Sequence, residues 1–263
     1  MLEEKYKRLR EIITTTDNAI VAFSGGVDSS LVAKVSLDTL GKNAIAVTVN
    51  SPVLPRRNLE SAKRIAGEIG IRHIIAEIYL LEIEKFVENP MDRCYYCKKS
   101  IIRILKRIAG NINATVILDG TNADDMKKNR SGLKALQEEG ILSPLAEANF
   151  TKNDVRKLAR NLNLSNSEQP PESCLATRIP YNNRITNKEL KRIENAENYI
   201  HAMGVKLIRV RNYGEIAIIE ILPEDFNRII RNRASIMNKF KELGFRYSLL
   251  NLNGYTQSIM NIL

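Results

Sequence analysis

The chain has 263 residues, 40 Lys and Arg against 30 Asp and Glu, a formal charge of +10, three cysteines and no tryptophan. A hydrophobic fraction of 44% beside 27% charged residues is a globular composition that excludes a disordered chain, and this length supports a core without disulfide or metal. The apolar runs fall short of the ~20 residues of a membrane span, Met1-Leu2-Glu3-Glu4-Lys5 does not read as a signal peptide, and an odd cysteine count then points to a reducing compartment, the cytoplasm.

Leu2, Tyr6, Leu9 and Ile13 fall at helical spacing and predict an opening amphipathic helix. Ala19-Ile20-Val21-Ala22-Phe23 has the apolar character of a buried parallel strand. It runs into Ser24-Gly25-Gly26-Val27-Asp28-Ser29-Ser30 and then a helical stretch ending near Gly41. Further strands are predicted at 44–49, 71–78 and 115–118, with helices over 56–69 and 98–109 between them. Such alternation specifies a doubly wound, mainly parallel α/β sheet covered on both faces. Thr151 and Asp154 form a capping pattern for one more helix.

Residues 165–173 are polar and broken by Pro170 and Pro171, which reads as a loop or domain boundary. Thr186 and Glu189 then cap a long helix running to about Ala202. A hairpin over 205–221 turning at Asn212-Tyr213-Gly214, a helical stretch through Phe240 and a strand near 245–250 complete a small α+β unit. The expected organisation is therefore a nucleotide domain over 1–165, a linker or active-site loop over 166–184 carrying Cys174, and a small substrate-binding or oligomerisation domain over 185–263.

Between a buried strand and a helix, residues 24–30 present backbone N–H groups and the positive helix end together, a cradle for pyrophosphate. The glycines let backbone approach the ligand; Ser24, Ser29 and Ser30 add hydroxyl donors, and Asp28 can hold Mg²⁺. The Lys-Ser/Thr pair of the kinase P-loop is absent, as is GxGxxG. The segment resembles the PP-loop of the ATP pyrophosphatases, which cleave ATP between the α and β phosphates. That likeness makes Thr48 and Ser51, at the end of the second strand, candidates for the adenosine side, with Gly120 and Asp125 in Asp119-Gly120-Thr121-Asn122-Ala123-Asp124-Asp125 at the same sheet edge. A polar turn with an Asx cap is the structural alternative there.

Cys94-Tyr95-Tyr96-Cys97 precedes the helix predicted to start near Lys98, and Cys174 lies far away in sequence. Two-residue spacing lets Cys94 and Cys97 share a metal centre. Zinc lacks a fourth ligand at suitable spacing, since His73 and His201 stand isolated; a redox CxxC leaves Cys174 idle, and buried structural cysteines remain an alternative. A [4Fe–4S] cluster on Cys94, Cys97 and Cys174 leaves one iron open to an external sulfur ligand.

Beyond the PP-loop, the segments Asn89-Pro90 through Lys98, 119–125, Ser143-Pro144-Leu145-Ala146-Glu147, Glu172-Ser173-Cys174-Leu175-Ala176-Thr177-Arg178, Ile185-Thr186, Glu194-Asn195-Ala196-Glu197 and Arg209-Val210-Arg211 occur in order. Over about residues 3–222 the chain resembles the LarE family of ATP-dependent sulfur transferases of nickel-pincer cofactor biosynthesis. The resemblance implies that ATP adenylates a carboxylate of pyridinium-3,5-biscarboxylic acid mononucleotide, which becomes a thiocarboxylate. It gives Asp28 and Cys174 catalytic roles, Cys174 matching the cysteine whose sulfur is sacrificed in single-cysteine members, and it places Arg178, Glu197, Arg209 and Arg211 around the mononucleotide. The extra Cys94 and Cys97 imply the three-cysteine, iron–sulfur type. ATP, Mg²⁺ and a [4Fe–4S] cluster are the implied cofactors and a homo-oligomer the implied assembly, with no membrane partner; the sulfide donor is undefined. A tRNA 2-thiolation enzyme is the enzymatic alternative, less expected because no stacking RNA module is evident. A non-catalytic iron–sulfur carrier or ATP-binding regulator is the other.

Overall fold

The computed structural model describes residues 1–128, 131–170 and 172–255; Pro171 of the expected loop and residues 256–263 of the expected C-terminal domain lie outside the described residues. The chain divides into two compact units, one made of Met1–Leu80 and Asp92–Glu172, the other of Leu81–Met91 and Ser173–Leu263.

The first unit opens with α1 (Leu2–Thr14), which buries Leu9, Ile12 and Ile13. Strand β1 (Ala19–Ala22) leads through the glycine loop into α2 (Val27–Leu40), followed by β2 (Ala44–Asn50), α3 (Arg56–Ile69) and β3 (Arg72–Glu77). Then come α5 (Arg93–Asn111), β4 (Val116–Leu118), the short helices α6 (Ala123–Met126), α7 (Ser131–Glu138) and α8 (Pro144–Glu147), and α9 (Lys152–Asn161); α4 (Glu84–Val87) belongs to the second unit. The four strands are parallel in the order β3-β2-β1-β4, the doubly wound α/β arrangement expected.

Why the strands read as unbroken apolar runs is visible in their two faces. Ala19, Val21, Ala44 and Ala46 pack with α1, α2, α3, α8 and α9, whereas Ile20, Ile45, Val47 and Ile117 pack with Leu105 and Ala109 of α5. Helix α2 buries Val27, Ser29, Ser30, Leu31, Val32, Ala33, Val35 and Ser36, so packing overrides the modest helix propensity of its valines and serines. β2 and β3 extend the sheet to one side of β1 and β4 lies on the other. The ends of β1 and β4 therefore flank a topological switch point, where open α/β sheets bind ligands.

Helix α5 begins at Arg93 rather than near Lys98, so Cys94 and Cys97 lie inside its first turns. Tyr and Cys are middling helix formers, which is why this segment reads as loop. Burial of Arg93 and packing of Tyr95 beside Ile102, Ala135 and Leu136 hold it helical instead.

In the second unit, α10 (Asn187–His201) is capped by the Thr186 hydroxyl, which accepts from the Glu189 amide. It packs with β5 (Ile208–Tyr213), β6 (Ile216–Ile221), α11 (Phe226–Arg231), α12 (Arg233–Glu242) and β7 (Tyr247–Leu250) around Ile200, Val210, Ile219, Ile236 and Phe240. β5 and β6 form an antiparallel hairpin, and β7 joins β6 in parallel after the α11–α12 crossover. Residues 81–91 are tied into this unit through Asn89, whose φ of 61° is left-handed. The Asn89 side-chain amide donates to the carbonyls of Pro180 (2.7 Å) and Asn183 (3.0 Å). Among the described residues, no helix is long and apolar enough to cross a membrane.

Candidate active site residues

The glycine loop is held in shape from three directions. Gly25 has φ +75°, and a Cβ there would stand 2.7 Å from Ala62 Cα of α3. Both facts demand glycine. Gly26 is the N-cap of α2 in extended conformation, leaving the first-turn amides without intrahelical acceptors. Ser29 Oγ donates to the Gly26 carbonyl (3.0 Å), and Ser24 N–H donates to Ser29 Oγ (3.2 Å). From below, the Asn166 amide donates to the Gly25 carbonyl (2.8 Å) and the Ser30 hydroxyl (2.9 Å). Gly120, at the end of β4, comes so close that a Cβ would lie 2.8 Å from the Ser29 nitrogen. That contact brings the edge carrying Asp119 beside the start of α2.

Asp28 accepts from Asn122 Nδ2 (3.1 Å) and forms an ion pair with Lys152. Asn122 belongs to the 119–125 run expected at this sheet edge, whereas Lys152, 124 residues from Asp28, does not stand out in the sequence. Asn122 also caps α6, its side chain accepting from the Asp124 and Asp125 amides. The acidic run is internally satisfied: Asp119 accepts from Thr121 N–H (3.1 Å), Thr121 Oγ1 (2.6 Å) and Ser143 Oγ (2.7 Å), and Asp125 pairs with Lys128 (3.2 Å). Backbone donation from Lys152, assisted by Lys127, holds the Asp124 carboxyl below its ordinary pKa. Here the Asx-turn alternative describes Asp119.

Thr48 is buried, its hydroxyl donating to the Phe23 carbonyl (2.8 Å) and lying 2.8 Å from His73 Nε2. Since that hydroxyl proton is used, the geometry calls for a proton on Nε2, and burial with the Lys63 charge lowers the His73 pKa, favouring the neutral ring. Thr48 thus ties the residue that follows β1 and the start of β3 to β2. Ser51 is buried just beyond β2.

Asp28 suits Mg²⁺ that arrives with nucleotide, because Mg²⁺ takes one or two carboxylates plus phosphate oxygens. The three cysteines are divided between the two units. Cys94 is exposed and Cys97 half-buried, one helical turn apart on α5, while Cys174 belongs to the other unit. Among the described residues, no group of three His, Cys, Asp or Glu side chains is placed to hold a metal ion.

In the second unit, Cys174 is the N-cap of a 3₁₀ turn, Leu175–Arg178, whose geometry is set by Arg178. That side chain is only 2% exposed. Its Nε and Nη2 donate to Glu197 (2.8 and 3.1 Å), and its Nη1 reaches the Ser173 carbonyl (2.8 Å), Ser173 Oγ (2.8 Å) and the Cys174 carbonyl (3.0 Å). Glu197 is fully buried and also accepts from the Val210 amide (3.0 Å). Burial opposes the Arg178 charge, yet Glu197 outweighs it and the pKa is raised. Arg211 donates to Glu220 (3.0 Å) and to the Thr177 carbonyl (2.8 Å), holding the far end of the same turn. Arg209 is buried too; burial first, with the Arg178 and Arg211 guanidiniums in support, lowers its pKa. The sequence points to the arginines and Glu197, to Ser173 and Thr177 only as part of the Cys174 segment, and not to Glu220; these last three complete the arginines' hydrogen bonds. Alternation along β5 does place Arg209 and Arg211 on one side, and both are buried rather than solvated.

A family model described as NAD synthase matches residues 1–188. An uncharacterized protein of Synechocystis sp. is 37% identical over 99% of this chain and 98% of its own length, and one of Methanocaldococcus jannaschii is 33% identical over 97% and 94%. The pyridinium-3,5-bisthiocarboxylic acid mononucleotide synthase of Lactiplantibacillus plantarum is 35% identical over 92% of this chain and 88% of its own length. With its PP-loop seated at the switch point of a parallel sheet, the chain belongs to the LarE family within the group matched by the NAD synthase model.

Proposed function

We propose that this protein is a cytoplasmic ATP-dependent sulfur transferase that adenylates a carboxylate of pyridinium-3,5-biscarboxylic acid mononucleotide, releases pyrophosphate and converts the carboxylate to a thiocarboxylate with release of AMP. The observation that carries this reading is the coexistence, in a chain 35% identical to the Lactiplantibacillus enzyme over 92% of its length, of a glycine cradle at a helix N-terminus and a Cys174 turn organised by buried arginines.

A carboxylate resists substitution because oxide is its leaving group. Attack of a carboxylate oxygen on the α-phosphorus breaks the α–β bond and leaves AMP as the group to be expelled. The α2 amides and the hydroxyls of Ser24, Ser29 and Ser30 bind the departing pyrophosphate, and Asp28 holds the metal that accompanies ATP. Mg²⁺ supplies charge neutralisation on the phosphates. Lys152, paired with Asp28 from the start of α9, brings a cation beside the loop. Thr48 keeps the strand ends in register for the adenosine side. Arg209 and Arg211 hold the phosphate of the mononucleotide through charge-assisted bonds. Arg178 and Glu197 act mainly by positioning the Cys174 turn, since their polar atoms are spent on Ser173, Cys174 and Val210.

The sulfur reaches the acyl adenylate by one of two routes. In one, Cys174 gives up its own sulfur and becomes dehydroalanine; in the other, Cys94, Cys97 and Cys174 would hold a [4Fe–4S] cluster that would supply an external sulfide. The test is protein purified without oxygen, assayed for iron and acid-labile sulfide, then incubated with ATP, Mg²⁺ and the mononucleotide. Pyrophosphate, AMP and the thiocarboxylate should appear together. Pyrophosphate without mononucleotide, or thiolated tRNA in place of the thiocarboxylate, contradicts the proposal. Iron-free protein that loses one sulfur from Cys174 per turnover removes the cluster from it.

A further inference from the structure

The residue that covers Arg209 comes from the end of the described chain. After β7, the Asn251 amide donates to the Ile219 carbonyl (2.9 Å), fastening the strand end to β6. The Asn253 amide then donates to Asn251 Oδ1 (3.0 Å) and the Gly254 amide to the Asn251 carbonyl (2.9 Å). Gly254 is buried with φ +75°, and a Cβ there would come 3.2 Å from the Ile221 carbonyl oxygen. Only glycine makes this left-handed reversal without strain. The turn lays the Tyr255 ring over Arg209, with Cζ 4.6 Å from the ring centroid.

The surroundings of Tyr255 extend past that one stack. Burial raises its phenol pKa, while Arg209, Arg178 and Arg211 pull it back down and Glu197 pushes it up. The ring therefore lies in the electrostatic reach of every arginine assigned to the mononucleotide. A guanidinium is planar, and an aromatic face packed on one side fixes its plane and leaves its edge as the donor surface. That edge is what a phosphate monoester accepts in bidentate geometry.

We propose that Tyr255 is a further binding residue of this site: its ring forms one wall of the phosphate pocket and sets the plane of Arg209 for a phosphomonoester ligand. The inference rests on the assignment of Arg209 and Arg211 to the mononucleotide phosphate. It also gives the turn at Asn251-Leu252-Asn253-Gly254 a purpose, which is to return the chain to β5.

The test uses the full chain in four forms: wild type, Arg209→Lys, Tyr255→Phe and Tyr255→Leu. Initial rates are measured against mononucleotide and, separately, against ATP. Tyr255→Leu should raise the KM for the mononucleotide ~3- to 10-fold, the scale of one cation–π contact. Its KM for ATP should be unchanged, which also reports that the protein is folded. Tyr255→Phe keeps the ring and should retain the wild-type KM. A wild-type mononucleotide KM in Tyr255→Leu, or an equal rise in both KM values, overturns the role of Tyr255. Equal failure of Phe and Leu overturns the ring-based account in favour of the hydroxyl. If Arg209→Lys also leaves the mononucleotide KM untouched, the phosphate assignment itself fails; if only the Arg209 variant responds, the assignment stands and Tyr255 is excluded.

Discussion

On the proposed function, the two units handle anions with different materials. In the first, the donors are backbone amides of a helix N-terminus, and side chains such as Asn166 and Ser29 serve to hold the backbone in place. In the second, the donors are guanidiniums, and the backbone of the Cys174 turn is what they hold. A backbone cradle is built from a few consecutive residues and fails by steric change. A guanidinium cluster is built from distant residues and fails when its counter-charges are lost. Each region should thus have its own characteristic way of breaking.

The largest effect is expected in the second unit. Glu197→Ala strands the Arg178 guanidinium in a nearly solvent-free site and removes the acceptor of the Val210 amide. Removing one partner of a buried pair costs about 3–5 kcal/mol. Urea unfolding should show the midpoint falling accordingly, and an unchanged midpoint would mean that the pair is dispensable. Gly25→Ala attacks the first unit by sterics alone, pushing a methyl group into Ala62 of α3. Misplacing the cradle by about 1 Å costs on the order of 100-fold in turnover. Pyrophosphate release should drop by that factor, while mononucleotide binding, measured by calorimetry, stays near wild type. Comparable loss of both would erase the distinction between the regions.

The smallest effect is expected at the N-cap of α9, beside Lys152. Thr151 and Asp154 cap α9 reciprocally, and Lys5 of α1 pairs with Asp154 (2.7 Å). Thr151→Ala should cost about 1 kcal/mol by thermal unfolding. Burial opposes ionisation of Asp154, but Lys5 and Thr151 together hold its pKa near about 2, against 3.8 for the free side chain. The folded pKa is the lower one, so this contribution is complete above pH 3.8 and fades as the pH falls toward 2. An Asp154→Asn variant should accordingly converge on wild-type stability at the acid end; a constant gap would contradict the linkage.

The same contrast explains what could be read before folding. The cradle was legible because Ser24 through Ser30 carry their context with them, a buried strand before and a helix after. The parallel sheet followed from apolar strands alternating with amphipathic helices. Lys152 and Asn166 were not legible, since nothing near them in sequence indicates that they end beside Asp28 and Gly25. The start of α5 was missed because Cys94-Tyr95-Tyr96-Cys97 has loop-like composition, whereas tertiary packing of Tyr95 makes it helical. In the second unit Arg209 and Arg211 were visible through strand alternation. Their neighbours Glu220 and Tyr255 were not, because hairpin register and a glycine reversal bring them there. The three cysteines show the limit most clearly. Spacing shows that Cys94 and Cys97 can share a ligand, but it carries no information on where Cys174 lies.

Adenylation of a carboxylate is the central claim, and oxygen tracing tests it most directly. The mononucleotide is prepared with ¹⁸O in its carboxylates and incubated with the protein, ATP and Mg²⁺, and the AMP is examined by mass spectrometry. An acyl adenylate requires one carboxylate oxygen to leave with the phosphorus, so AMP should carry a single ¹⁸O and the pyrophosphate none. Unlabelled AMP, or label recovered in inorganic phosphate beside ADP, would contradict the account.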